Sequence, residues 1–283
     1  MSGLLRNPRA RAGLVLLALF VLVATLGPLL VQDPNAFTSR PLQPPSAEHW
    51  FGTTGQGQDV LAQTVVGARM TLGVGVLTGA LVVMIGALVG GLAGTLGGRF
   101  DDVLSLVINV FLVLPGLPLM VVLAAWLPAG PASMTAVLVL TGWAWNARVL
   151  RAQSLSLRQR DFVQAARVAG EGPLRIVIGE ILPNLSGLLV SSFIGATVYA
   201  IGAQVGLEFL GLGDLGTVTW GTNLYWASND QALLTGSWWT FIPTGVSIAL
   251  VGFGLALVNF GLDELSNPRL AHPVQTGPTP VDG

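Results

Sequence analysis

The sequence predicts an all-α integral membrane protein with about six transmembrane helices, and three observations carry that expectation. Only 10% of the 283 residues are charged and 52% are hydrophobic, where a soluble domain carries about 25% charged residues. Five windows hold no Asp, Glu, Lys or Arg: 12–32, 70–98, 103–147, 181–207 and 231–262. A helix needs roughly 20 mainly apolar residues to cross a hydrocarbon core of about 30 Å. A membrane barrel would need short alternating segments instead, and the sequence shows none.

The first span, about 13–31, follows Arg6, Arg9 and Arg11. It lacks an A-x-A cleavage site and is longer than a signal-peptide core, so it reads as a retained first helix. The second, about 70–97, carries Gly75-xxx-Gly79 and then Gly86, Gly90, Gly94 and Gly98 at intervals of four. Such a stripe lets a neighbouring helix approach closely, and bundle packing explains it without a further role. The window 103–147 holds two apolar runs parted by Pro128-Ala-Gly-Pro131-Ala-Ser133, a breaker cluster. Helices are therefore expected at about 103–126, with Pro115-Gly-Leu-Pro118 interrupting the first, and at about 133–150. The last two spans are about 184–208 and 240–262. Segments 33–69 and 211–238 are loops on one side, and 150–183 is the largest piece on the other. The Pro-rich tail 271–283 reads as disordered.

Arginine placement orients the bundle. Arg6, Arg9, Arg11, Arg99, Arg148, Arg151, Arg158, Arg160, Arg167, Arg175 and Arg269 fall on one side; Arg40 and Arg69 fall on the other. The positive-inside rule puts the Arg-rich side and both termini in the cytoplasm. Trp50, Trp126, Trp220, Trp226, Trp238 and Trp239 map to the opposite side, where aromatic rings anchor at an interface.

Much chemistry is excluded. All 13 basic residues are Arg, so there is no phosphate-loop lysine and no nucleotide-hydrolysing motif. Cysteine is absent, and His49 and His272 have no neighbouring ligands at metal spacing. His49 reads as a surface hydrogen-bonding residue. No Ser/His/Asp set or catalytic carboxylate pair stands out. A net charge of −1 does not suit a nucleic-acid binder. The spans hold no ionisable relay of the kind that proton-driven transporters keep.

The informative segment begins at Asp161. Asp161 is placed to cap a short helix carrying Phe162, Gln164, Ala165, Ala166 and Val168. Gly170 ends that helix, Pro173 opens the next, and Leu182-Pro183 marks entry to the fifth span. The run from Gln164-Ala165-Ala166 through Gly170 to Leu182-Pro183 resembles the EAA loop of ABC-importer permeases, with Gln164 where the pattern has Glu. Asn7-Pro-Arg, His49-Trp-Phe-Gly52-Thr53, Gly57-Gln-Asp59-Val-Leu61, Gly67-Ala-Arg69, Phe209-Leu-Gly-Leu-Gly213, Trp220-Gly221 and Asn267-Pro-Arg-Leu270 extend the likeness. Together they resemble, in order from about residue 5 to 270, the C-type permease subunit of dipeptide/oligopeptide importers.

The resemblance implies a MetI-like permease bundle: an N-terminal helix and loop over 1–69, and a core over 70–270 with its ATPase-coupling segment at 150–183. It implies a bacterial inner-membrane location and four kinds of contact. These are a homologous second permease, two cytoplasmic ATPase subunits, an extracytoplasmic solute-binding protein and the bilayer. ATP and Mg would be bound by the ATPase partners, and this chain would hold no cofactor or metal and would not be an enzyme. Where the family tends to carry Glu, this chain has Gln204. Asn109, Asn146, Gln204 and Glu208 are candidates for lining a pathway, with interhelical hydrogen bonding as the alternative. The substrate stays open between peptides and oligosaccharides, the latter suggested by Trp220, Trp226, Trp238 and Trp239 as sugar platforms. A self-sufficient secondary transporter or channel is the rival reading.

Overall fold

The computed structural model describes residues 7–37 and 39–266. Arg6, Arg269, His272, the motif from Asn267 to Leu270 and the tail 271–283 lie outside them. Twelve α-helices run in the order α1 (Pro8–Leu26), α2 (Val60–Leu96), α3 (Gly98–Val113), α4 (Gly116–Trp126), α5 (Pro131–Leu157), α6 (Asp161–Val168), α7 (Pro173–Ile176), α8 (Leu182–Asn184), α9 (Ser186–Phe209), α10 (Trp220–Asn229), α11 (Ala232–Thr235) and α12 (Ile242–Ser266). Among the described residues the one β-type pairing is an isolated bridge between Thr53 and Asp59.

The expected six spans are not reproduced as six straight helices. Among the described residues four elements are long and apolar enough to cross a membrane, beginning at Pro8, Val60, Ser186 and Trp238, and the pair α3–α4 adds a fifth only if taken together. That pair bends by 86°. Leu114 precedes Pro115 and is extended (ψ 132°), as steric conflict with a following proline ring demands. Helix α5 has 27 residues, but Trp143, Trp145, Asn146 and Arg148 dilute its apolar stretch.

Helix α2 also begins ten residues before the expected start, so segment 33–69 is not all loop. Asp59 sets that start by accepting the Ala62 N–H at 2.8 Å. At 37 residues α2 is about 56 Å long, well beyond the hydrocarbon thickness. Its glycines are seams. A Cβ on Gly90 would lie 2.3 Å from the Ala147 carbonyl oxygen, and one on Gly94 2.7 Å from Ser154 Cβ, both on α5. One on Gly75 would meet Ile201 of α9 at 2.4 Å. The stripe therefore packs α2 between α5 and α9.

The first and last helices pair in the same way, with Gly13 against the Gly254 carbonyl and Gly261 against Ala10. Asn7 caps α1 and donates its amide to Glu264, to which Arg9 also bonds at 2.7 Å.

The segment before α2 is an ordered cap. His49 Nδ1 sits 2.8 Å from Asp59 Oδ2, and Nε2 2.5 Å from the Ser39 hydroxyl. His49 is 4% exposed, so it is buried and not a surface residue. Ser39, His49 and Asp59 do form a hydrogen-bonded chain that the sequence did not reveal. Since the other oxygen of Asp59 caps α2, this chain staples the loop to the helix start. Trp220 differs from expectation too. It is fully buried, edge-on to Phe20, and its indole N–H donates to the Thr64 carbonyl. It is core, not an interfacial anchor, whereas Trp50, Trp126 and Trp238 are exposed.

Candidate functional site

Two regions combine geometry with accessible chemistry: the short helix at the Arg-rich end and a cavity in the body of the bundle.

Helix α6 is amphipathic. Val163 is fully buried in a cluster with Leu150, Ile176, Ile181 and Leu185, and Phe162, Ala166 and Leu182 pack at its edge. The other face carries Asp161, Gln164, Ala165 and Val168, all exposed, Val168 to 90%. Asp161 is the first helical residue and not the cap: Arg160 occupies that position and makes no side-chain capping bond. A carboxylate at the first turn still opposes the positive end of the helix dipole. Gln164 donates its amide to the Arg158 carbonyl at 2.9 Å, and Arg167 reaches the Thr95 carbonyl at the end of α2 at 2.8 Å.

The helix ends as expected at Gly170, whose φ is +81°. The Gly170 N–H bonds the Arg167 carbonyl and the Glu171 N–H bonds the Ala166 carbonyl, the paired closure that a left-handed residue permits. Pro173 then opens α7, a π-helical turn covers Val177–Ile181, and Pro183 lies exposed in α8 just before α9. Asp161 to Gly170 and Leu182 thus form one unit, whose outward face exposes apolar Ala165 and Val168 beside polar Asp161 and Gln164.

Nearby, Arg151 on α5 grips Asp101 on α3 through two bonds of 2.5 and 2.7 Å. This fork joins the two helices at the Arg-rich end.

The cavity is about 590 Å³ and lies between α2, α3, α5 and α9. Thr141, Trp145, Asn146, Ser191, Ser192 and Tyr199 bring hydroxyl, amide and aromatic groups to walls that include Val82 and Leu112, with no carboxylate or guanidinium. Of the pathway candidates, Asn146 lies here. Asn109 is exposed elsewhere on α3. Gln204 and Glu208 are buried together: the Gln204 amide donates to Glu208 at 2.9 Å and the Thr219 hydroxyl donates to its other oxygen at 2.5 Å. They border a crevice of about 10 Å³ with Asp214 and Thr217. Thr141, Trp145, Ser191, Ser192 and Tyr199 escaped the sequence reading. Their spacing holds a trace of the cavity, since 141 and 145, and 191, 195 and 199, each share a helix face.

Residues 83–272 match the family described as binding-protein-dependent transport system inner membrane component, which spans the cavity, α6 and the bent pair α3–α4. The chain belongs to that family. Residues 2–45 match the N-terminal transmembrane domain of oligopeptide transport permease C. The chain is 33% identical over 272 residues to the dipeptide transport system permease protein DppC of Bacillus subtilis (strain 168), covering 94% of this chain and 83% of that one. It is 31% identical over 268 residues to the oligopeptide permease OppC of the same organism, covering 93% and 87%. To OppC of Mycobacterium bovis it is 34% identical over 273 residues, covering 93% and 91%. The chain is accordingly an all-α permease subunit of an ATP-driven ABC importer. ATP hydrolysis belongs to separate subunits, and the family name itself implies a binding-protein partner.

Proposed function

We propose that this chain is one of two homologous membrane subunits of a bacterial peptide importer, and that the α6 unit is where ATPase movement enters it. The observation that carries the second part is the exposure of Val168 and Ala165 on a helix anchored through buried Val163. Soluble proteins leave such apolar ridges uncovered mainly where a partner covers them. Asp161, Phe162, Gln164, Ala165, Ala166, Gly170, Leu182 and Pro183 form the coupling unit in this reading. Two cytoplasmic ATPase subunits bind ATP and Mg, a solute-binding protein delivers substrate on the opposite side, and both termini are cytoplasmic. Residues 1–69 form an attached N-terminal part and 70–270 the transporting core.

The 590 Å³ cavity is this chain's share of the path. Its hydroxyl and amide groups suit the repeating donors and acceptors of a peptide backbone, and its lack of charge suits indifference to side chains. Buried Trp220 offers no platform to a sugar, which favours peptides, as do the names of the relatives. Gln204 and Glu208 act beside this path by holding α9 to α10.

Import of labelled dipeptides, longer peptides and oligosaccharides into cells lacking and re-expressing this chain tests the substrate. Restoration of oligosaccharide uptake alone would overturn the peptide reading. Orientation is tested with single cysteines, for which the cysteine-free chain gives no background. Cysteines at positions 50 and 229, both exposed, should react with an impermeant thiol reagent in intact cells and one at position 155 should not. Position 52 is unsuitable because it is buried against Gln43 and Trp239.

A further inference from the structure

A small, partly open space of about 20 Å³ lies where the Thr53–Asp59 turn, the start of α2, α10 and the start of α12 converge. That is room for one water or one small ion. Its wall is rich in oxygen, with side chains of Thr54, Gln58, Asn223, Asp230, Thr240 and Thr244, and it includes no Lys, Arg or His. Thr244 is 1% exposed, and its buried hydroxyl has no hydrogen-bond partner among the described residues. Threonines in helices ordinarily satisfy that hydroxyl on the preceding turn, as Thr64 does on Val60. Thr244 does not.

Asp230 receives one donor, the Gly55 N–H at 3.1 Å. The approach is so close that a Cβ on Gly55 would fall 2.1 Å from the Asp230 carboxyl carbon. Burial pushes this carboxyl above the usual carboxylate range, with the Gly55 N–H pulling the other way. The Thr54, Gln58 and Thr240 side chains already have hydrogen-bond partners, which leaves a partly desolvated carboxylate with one donor and a buried hydroxyl with none beside one ion-sized space.

We propose that this chamber binds one sodium ion, with Asp230 as its charged ligand and the Thr244 hydroxyl as a neutral one. A single carboxylate matches a single positive charge. Calcium sites collect six to eight oxygens and typically several carboxylates, and no group of three or more His, Cys, Asp or Glu is found among the described residues. The ion would join the turn at Gly55 to the α10–α12 connection, two segments far apart in sequence that also meet through the Asp230–Gly55 bond and the Trp239 indole N–H on the Thr53 carbonyl.

The test is binding of radiolabelled sodium to the detergent-solubilised importer complex containing this chain, in choline buffer. One saturable sodium per copy of the chain is expected. Asp230→Asn should abolish it, and Thr244→Val, which keeps the side-chain shape, should weaken it about tenfold, the equivalent of one lost ligand worth about 1.4 kcal/mol. No saturable sodium in the wild type would overturn the proposal and leave the chamber to water. Unchanged binding in Thr244→Val would overturn it as well, because a surface carboxylate alone does not require that hydroxyl. If Asp230→Asn fails to assemble, Thr244→Val decides.

Discussion

The two ends of the bundle are held in different ways. At the Trp-rich end the chain is tied by buried directional bonds: Asp59 to His49 and to the start of α2, Glu208 to Gln204 and Thr219, and Trp220 to Thr64. At the Arg-rich end the Asp101–Arg151 fork and the Arg167–Thr95 bond hold the helices, while α6 turns an apolar ridge to the outside. A buried polar network is costly to break partially. A short helix seated on Val163, Phe162 and Ala166 and tied by the one Arg167–Thr95 bond moves at less cost. One end is tied to keep its shape; the other, in the coupling role proposed for α6, would receive a push.

This contrast predicts that stability cost and transport cost run in opposite orders. The largest loss of stability is expected for Glu208→Ala, about 2–3 kcal/mol, because two buried donors lose their acceptor. Thermal unfolding of the complex in detergent measures it, and a loss below about 0.5 kcal/mol would break the comparison. Arg151→Ala comes next at about 1–2 kcal/mol, discounted because the Arg151 side chain is 29% exposed. Arg151→Lys should fall between, since it keeps the charge and loses the fork.

Gly170→Val costs less, about 1 kcal/mol, for placing a Cβ at positive φ. Its effect on import is expected to be far larger, as is that of Ala166→Trp. Both should reach the membrane at normal levels and lose substrate-stimulated ATP hydrolysis. Variants that keep both the co-purifying ATPases and that stimulation would remove α6 from the coupling role. The smallest stability change, within about 0.5 kcal/mol, is expected for Val168→Ser, because Val168 is 90% exposed. Import should nonetheless fall. Full import would show that nothing docks on the ridge.

Much of the fold was legible because exclusion of charge from lipid is a strong constraint that a single chain displays. The windows bounded by Arg11, Arg69, Arg99 and Arg148 mark spans on that ground alone. The same criterion hid the true start of α2, where Arg69 sits on an exposed face within the helix. Pro115 and Pro118 signalled a break but not its 86° angle, which packing decides. The α6 unit was readable because Gly170, Pro173 and Pro183 are local backbone devices. The Asp161 capping role was not, since Arg160 takes the extended conformation there. The cavity was the least legible feature. Thr141, Asn146, Ser191 and Tyr199 are isolated polar residues on three turns of two helices, and only the crossing of α5 and α9 brings them together.

The length of α2 has a mechanical side. At about 56 Å it is a stiff rod gripped at its first turn by the Asp59–His49 staple and touched at its last by Arg167 from α6. A tilt of about 5° about its middle would carry each tip through about 2.5 Å, close to the length of a hydrogen bond. Displacement delivered at one membrane surface therefore arrives at the other as a shift large enough to exchange one polar contact for another.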